Sequence, residues 1–375
     1  MTDWMIRGGE VLCNGGFRQM DLPVADGLIG RPVGVSTDWD ASGMLVLPGI
    51  VDIHGDGFER QIMPRPGVSF PLDVALADTD RQLIANGITT AFHGLTVSWE
   101  PGLRSIDNAR DFVAAWQRIG PDLHADTRLH LRWETFALDA MDEIAGWFDL
   151  APKPILAFND HTTLTVEKDH VRGKLGQSAA RAGLGLDDYL SLLDRVWARR
   201  EEVPAAIRRL AERAAEKDLI VLAHDEASPE VRAAFRGLGA ATSEFPLNVE
   251  TASAAREAGE HTVLGAPNVL RGGSHTGALN AADAVAEGLC TILASDYYYP
   301  APLHAAFRLV ADGVTDLASA WRLISTHPAQ AAGLPDRGVL EPGKRADIVV
   351  VDASGPEAPR VRAVFVAGRK VFEAA

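Results

Sequence analysis

The strongest constraint on the fold is a regular alternation of short apolar runs with amphipathic stretches through the middle of the chain. Runs of strand length fall at 44–54, 88–93, 128–134, 155–161, 219–224, 241–244, 262–267 and 290–296. Helical patterns lie between them, at 72–86, 138–148, 187–217, 229–238, 252–258 and 281–288. Eight strands separated by helices over roughly 250 residues is the count of a (β/α)8 TIM-like barrel. A doubly wound sheet is the alternative, but no Gly-x-Gly-x-x-Gly follows the first strand. The two ends read differently. Residues 4–46 form short strand patterns with Gly-rich turns, and 343–352 and 361–371 are strand-like again. Chain termini often lie close together, so both β-rich ends can pair. The expected organisation is a small β-sandwich from 1–46 and 340–375, attached to an α/β barrel of 47–339. The stretch 162–182, rich in Lys, Arg and Gly and without periodicity, reads as a long loop over the end of strand 4.

At 375 residues the chain can bury a large core. No run approaches the roughly 18–20 apolar residues of a membrane span. Met1-Thr2-Asp3-Trp4 has neither the basic start nor the apolar core of a signal peptide. Cys13 and Cys290 are far apart in sequence and imply no disulfide framework, so a cytoplasmic location is expected. A formal charge of −15 argues against a nucleic-acid scaffold, which needs a basic face. Neither a nucleic acid nor a membrane is an expected partner.

In such a barrel the chemistry sits at the C-terminal ends of the strands. Those ends carry His54 and Asp56, His93, Glu134, Asp160 and His161, His224 with Asp225 and Glu226, Glu244, Asn268, and Ser295 with Asp296. His54 and Asp56 are two apart on a strand, so both can point at one ion. Of 11 histidines, four close proposed strands, at 54, 93, 161 and 224. This concentration of imidazole and carboxylate points to a divalent metal centre. Mixed ligation favours Zn²⁺ and tolerates Mn²⁺ or Fe²⁺. His93, before Gly94, reads equally as a core histidine, and Asp225 and Glu226 as carboxylates that hold His224 in place. His124, His130, His170, His261, His304 and His327 fall in helices, loops or strand interiors and read as satisfied or solvated. Asp296 is the candidate general base, placed beside the first strand once the barrel closes. Downstream of strand 7, Asn268, Arg271, Gly272, Gly273, Ser274 and His275 supply donors and glycine N–H groups suited to a phosphate or polyphosphate.

Three segments carry a resemblance. Pro48-Gly49-Ile50-Val51-Asp52-Ile53-His54, Gly87-Ile88-Thr89-Thr90 and Gly343-Lys344-Arg345-Ala346-Asp347-Ile348-Val349 resemble the amidohydrolase superfamily. The resemblance implies a distorted barrel, a small β-sandwich built from both termini, and one or two divalent metals that activate water. Within it, Pro64-Arg65-Pro66, Arg128-Leu129-His130-Leu131-Arg132-x-Glu134, Gly265-Ala266-Pro267-Asn268, Arg271-Gly272-Gly273-Ser274-His275 and Ser295-Asp296-Tyr297-Tyr298 are similar to the ribose-triphosphate diphosphatases of phosphonate metabolism. That family implies hydrolysis of alpha-D-ribose 1-methylphosphonate 5-triphosphate to the 5-phosphate and diphosphate, in the carbon–phosphorus lyase pathway. His54, Asp56, Glu134, His161, His224 and Asp296 become the expected metal ligands. Arg65, Arg132 and Arg60 are candidates for the sugar-phosphate end of the substrate. Gly57, where the family carries Asn, and the loop 162–174 depart from its pattern. The enzymatic rival is a C–N hydrolase, an amidase or deaminase acting on a phosphorylated or acidic small molecule. A metal-free binding protein is the non-enzymatic rival. The superfamily also implies a homo-oligomer.

Overall fold

The computed structural model describes residues 2–14, 16–30, 34–167, 172–273, 279–355 and 359–374. Two sheets organise them. The first joins both ends of the chain: strands Trp4–Cys13, Gly16–Ala25, Leu28–Ile29, Thr37–Asp40 and Leu45–Pro48 from the N-terminal side, and Ile348–Asp352, Arg360–Val366 and Arg369–Glu373 from the C-terminal side. Leu45–Pro48 is the seam, parallel to Trp4–Cys13 and antiparallel to Ile348–Asp352.

The second sheet is a barrel of eight parallel strands in sequential order: β1 (Ile50–Gly55), β2 (Ile88–Val97), β3 (Asp126–Glu134), β4 (Ile155–Asn159), β5 (Val221–His224), β6 (Ala240–Glu244), β7 (His261–Gly265) and β8 (Ile292–Ala294). It closes where β8 ends against β1. The Asp296 amide donates to the His54 carbonyl at 2.9 Å, and the Asp56 amide donates to the Asp296 carbonyl at 2.8 Å. Parallel strands covered on both faces carry continuous apolar runs, and β2 is buried along its whole length. Val51, Ile53, Phe92, Ile155, Ala157, Leu222, Val263, Ile292 and Ala294 form one apolar cluster with Ala329, Ala332 and Leu334. A second cluster, with Leu129, Leu131, Trp133 and Phe158, packs the outside of the strands against the helices.

Several elements differ from the sequence expectation, each for a local reason. The run 44–54 is two strands, because the chain changes sheet at Gly49. A Cβ there would lie 2.2 Å from Thr89 Oγ1. Strand β2 continues past His93 to Val97, so His93 lies mid-strand, buried against Phe58 and Phe112. The helical pattern 187–217 breaks into Leu186–Trp197 and Val203–Glu216, with Pro204 in the first turn of the second helix. The stretch 162–182 is helical in its described parts, His161–Glu167 and Arg172–Ala182. Asp160 accepts from the Thr163 amide at 2.9 Å and caps the first of these. Ala179, Ala182 and Tyr189 hold the second in a small cluster of their own with Trp99, Leu175 and Leu184. No helix among the described residues is long and apolar enough to cross a membrane.

A candidate metal centre at the barrel rim

Strand alternation places the chemistry. On β3, Leu129, Leu131 and Trp133 pack under the helices, so His130, Arg132 and Glu134 face the barrel mouth. All three are buried. Among the described residues, candidate ligand atoms gather in three groups, the atoms of each lying within 4.8 Å of one another: His54, Asp56 and Asp296; His161, His224 and Asp225; and His54, His130 and Glu244. The groups adjoin. The His54 ring is centred 5.2 Å from that of His130 and 5.2 Å from that of His224, which lies 5.4 Å from His161.

Backbone geometry at the strand ends aims these side chains. Asp225, Phe245 and Asp296 each follow a barrel strand and have φ of 56°, 54° and 55°. Left-handed backbone at non-glycine residues costs about 1–3 kcal/mol each and persists where the surroundings over-determine it. Here the surroundings are visible. Buried Asp52 accepts from the Ser295 amide at 3.0 Å and the Ser295 hydroxyl at 2.5 Å, which pins the end of β8 onto β1. Gly55 belongs to the same fit, since a Cβ there would lie 2.6 Å from the Asp52 carboxylate.

The electrostatics suit a cation. Burial, with Arg132 adding to it, holds His54 well below the ordinary imidazole range, and burial does the same to His224. Neutral imidazole is the ligating form. His54 Nδ1 lies 2.8 Å from Glu244 Oε1. With the ring proton on Nδ1, His54 donates to that carboxylate and keeps its other nitrogen free as a ligand, a pairing usual for metal-binding histidines. Burial raises the Glu244 carboxyl. Burial and the neighbouring Asp56 push Asp296 up to about 7. Although burial opposes it, Asp225 and Glu134 raise His161 to about 9, so its ring carries a proton that a bound ion would have to displace. His130 Nε2, His224 Nδ1 and Glu244 Oε2 are buried without a hydrogen-bond partner. Buried polar atoms are normally satisfied, and this donor set of imidazoles and carboxylates fits a divalent ion.

Arg132 stands between the first two groups. Its Nη1 donates to Asp56 Oδ2 at 3.3 Å and its Nη2 lies 2.7 Å from His224 Nε2. The Asn159 carboxamide, oriented to accept, receives Nη2 at 3.3 Å and Nε at 3.2 Å. Glu134 lies outside the three groups. It accepts from the amides of His161 and Thr162 at 3.2 and 3.1 Å and from Thr162 Oγ1 at 2.7 Å, so it holds the start of the helix that carries His161.

Contrary to the expectation from sequence, residues 266–273 after β7 do not leave their glycine N–H groups open to a phosphate. Residues Ala266–Arg271 are helical, and Gly272, at φ 75°, ends that helix. The Gly272 and Gly273 amides donate to the carbonyls of Val269 and Asn268 at 3.3 and 3.1 Å, so these two N–H groups are engaged within the chain. The Asn268 side chain is also occupied, donating to the Leu279 carbonyl and accepting from the Ala281 amide. Arg271 reaches the rim, 3.4 Å from the Tyr297 hydroxyl. Arg60 lies 5.3 Å from the centroid of the same Tyr297 ring. Ser274 and His275 fall outside the described residues. Arg65 is exposed in a tight turn closed by the Val68 amide. His130, read from sequence as a satisfied strand-interior histidine, instead joins His54 and Glu244. Counting back by two and four residues from Glu134 would have found both Arg132 and His130 on the mouth side. Asp52 was legible in the same way, two residues before His54.

The sequence profile of the amidohydrolase family matches residues 195–371. The alpha-D-ribose 1-methylphosphonate 5-triphosphate diphosphatase of Escherichia coli K12 is 30% identical over 349 residues, spanning 89% of this chain and 89% of that protein. Adenine deaminase 1 of Rhizobium etli is 44% identical over 71 residues, 19% of this chain and 12% of that one. Among solved structures, a triazine hydrolase variant superposes with a TM-score of 0.66 at 15% identity, covering 100% of this chain and 95% of its own, a likeness of fold. With a relative at 30% identity along nearly its whole length, this chain belongs to the amidohydrolase family and is a hydrolase.

Proposed function

We propose that the protein is a metal-dependent diphosphatase of phosphonate metabolism, hydrolysing alpha-D-ribose 1-methylphosphonate 5-triphosphate to the 5-phosphate and diphosphate. The observation that carries this reading is the convergence of Asp296 with His54 and Asp56, in a chain related along its length to a diphosphatase. His54, Asp56 and Asp296 would hold one divalent ion, and His161, His224 and Asp225 a second, with Zn²⁺ the best match to mixed ligands and Mn²⁺ or Fe²⁺ tolerated. Bound there, such ions supply Lewis acidity that lowers the pKa of water and offsets phosphate charge.

The side chains supply the rest. Asp296 takes a proton from the attacking water, whose oxygen bonds to the phosphorus nearest the sugar. The bond from that phosphorus to the next bridging oxygen breaks, and diphosphate leaves. Arg132, fixed by Asn159 and Asp56, is placed to meet a phosphoryl oxygen. Arg271 and Arg60, on the β7–β8 side, are placed for the departing diphosphate. Phosphorus NMR of the products tests this. One diphosphate per ribose 5-phosphate is expected from a ribose 5-triphosphate, whereas stepwise orthophosphate release contradicts it.

The short match to an adenine deaminase favours a second reading, hydrolysis of a C–N bond on a phosphorylated or acidic small molecule. Its product is ammonia or an amine, so assaying both products decides between the two.

A further inference from the structure

A cleft of about 210 Å³ opens beside His161 and Glu134, between residues 96–104 at and beyond the end of β2 and the helices His161–Glu167, Arg172–Ala182 and Leu186–Trp197. The reaction as described above leaves it without a role. Its charges are already matched. Arg104 donates through Nε and Nη2 to both oxygens of Glu59 at 2.8 Å. Arg181 Nη2 donates to the Glu100 oxygens at 3.0 and 2.7 Å, and the Tyr189 hydroxyl donates to Glu100 at 2.5 Å. A phosphate entering here would have to displace a carboxylate from its guanidinium.

An uncharged group with many hydroxyls meets no such obstacle. Ser98, Thr165 and Ser178 line the cleft. Thr96 Oγ1 and Arg181 Nε, both on lining residues, are buried and without a hydrogen-bond partner. Trp99 gives one wall a flat apolar face, held in place by its Nε1 donating to Thr162 Oγ1 at 2.9 Å and by the Tyr189 ring 5.5 Å away. The volume is below the roughly 300–1,000 Å³ that encloses a whole drug-sized ligand, so it fits one ring of a larger substrate.

The opposite side of the rim is the complement. Arg60 and Arg271, both beside Tyr297, have no carboxylate partner among the described residues. Unmatched cations lie on the β7–β8 side, and matched ions with hydroxyls on the β2–β4 side. We propose that the cleft is a subsite for a neutral polyhydroxylated ring, so that a substrate lies across the rim with its sugar against Trp99 and Glu100 and its phosphates toward Arg60 and Arg271. That the ring is a pentose rests on the diphosphatase reading, in which the ring sits in the cleft and the charged methylphosphonate on C1 projects out of it.

Calorimetric titration with ribose 5-phosphate and with inorganic phosphate tests the subsite. Ser178→Leu and, on a different helix, Thr165→Leu each place bulk in the cleft, and Leu is a good helix former, so at least one should fold normally. The wild-type protein is expected to bind ribose 5-phosphate at least tenfold tighter than inorganic phosphate. The variant with wild-type melting behaviour should lose that preference while binding inorganic phosphate as before. A preference that survives the substitution, or its absence in the wild type, overturns the subsite. Diphosphate release from ribose 5-triphosphate is scored separately. Its absence beside an intact, cleft-dependent preference removes the hydrolytic reading alone. Its presence with a preference indifferent to the cleft removes the subsite alone.

Discussion

Asp296 sits where three influences meet: the closure of β8 on β1, a left-handed backbone, and two ligand-type neighbours. Replacing it with Asn keeps the shape and removes the base. Turnover of a ribose 5-triphosphate in Asp296→Asn is expected to fall by about a hundred- to ten-thousandfold. The metal-free variant should melt no lower than wild type, because burial and Asp56 already disfavour the charge. Stopped-flow or coupled phosphate assays and a thermal melt check both halves. The rim position of such residues was legible in the sequence because strand ends carry barrel chemistry. Their partners were less legible. His130 reads as a strand-interior residue until β3 is counted in steps of two. The capture of the Gly272 and Gly273 amides by a helix end shows only once residues Ala266–Arg271 are seen to be helical.

Among the elements, the switch from terminal sheet to barrel at Gly49 leaves no room for a side chain. The Gly49 amide donates to the Asp347 carbonyl at 2.8 Å, and the absent Cβ leaves room for Thr89. Gly49→Ala is expected to destabilise the protein by about 1–3 kcal/mol, as overpacking does. Chemical denaturation should show this as a lower midpoint with an unchanged slope. The helices beside the cleft carry a different lesson. Glycines and charges at 172–182 mask the helical period, and what holds that segment is a cluster with nearby Tyr189 and with Trp99, which is distant in sequence. Such a contact leaves no periodic signal. The break at Pro204, by contrast, was readable from proline chemistry alone.

For the molecule as a whole, the two sheets are locked by a buried ionic knot. Arg337 donates to Asp126, at the start of β3, at 2.6 Å and to Thr90 Oγ1 at 2.8 Å, and lies 3.9 Å from Asp347 beside the terminal sheet. Although burial opposes it, Arg337 and Arg128 hold the Asp126 carboxyl below the usual range. A depressed carboxylate adds stability above its unfolded pKa of about 4, and that contribution fades as pH falls through the lower folded value. Arg337→Met should therefore cost about 1–3 kcal/mol near neutral pH, since Asp126 keeps Arg128 and Asp347 keeps Arg345. Its stability should also fall less steeply than that of wild type below pH 4, as urea midpoints across pH would record.

The arrangement of rim ligands is tested most directly by anomalous diffraction from crystals grown with Zn²⁺. Peaks are expected within bonding distance of His54, Asp56 and Asp296, or of His161, His224 and Asp225, and should vanish at the first position in a His54→Ala, Asp56→Ala double variant. Zinc bound only elsewhere on the surface, or no zinc at the rim of an active crystal, would contradict the account.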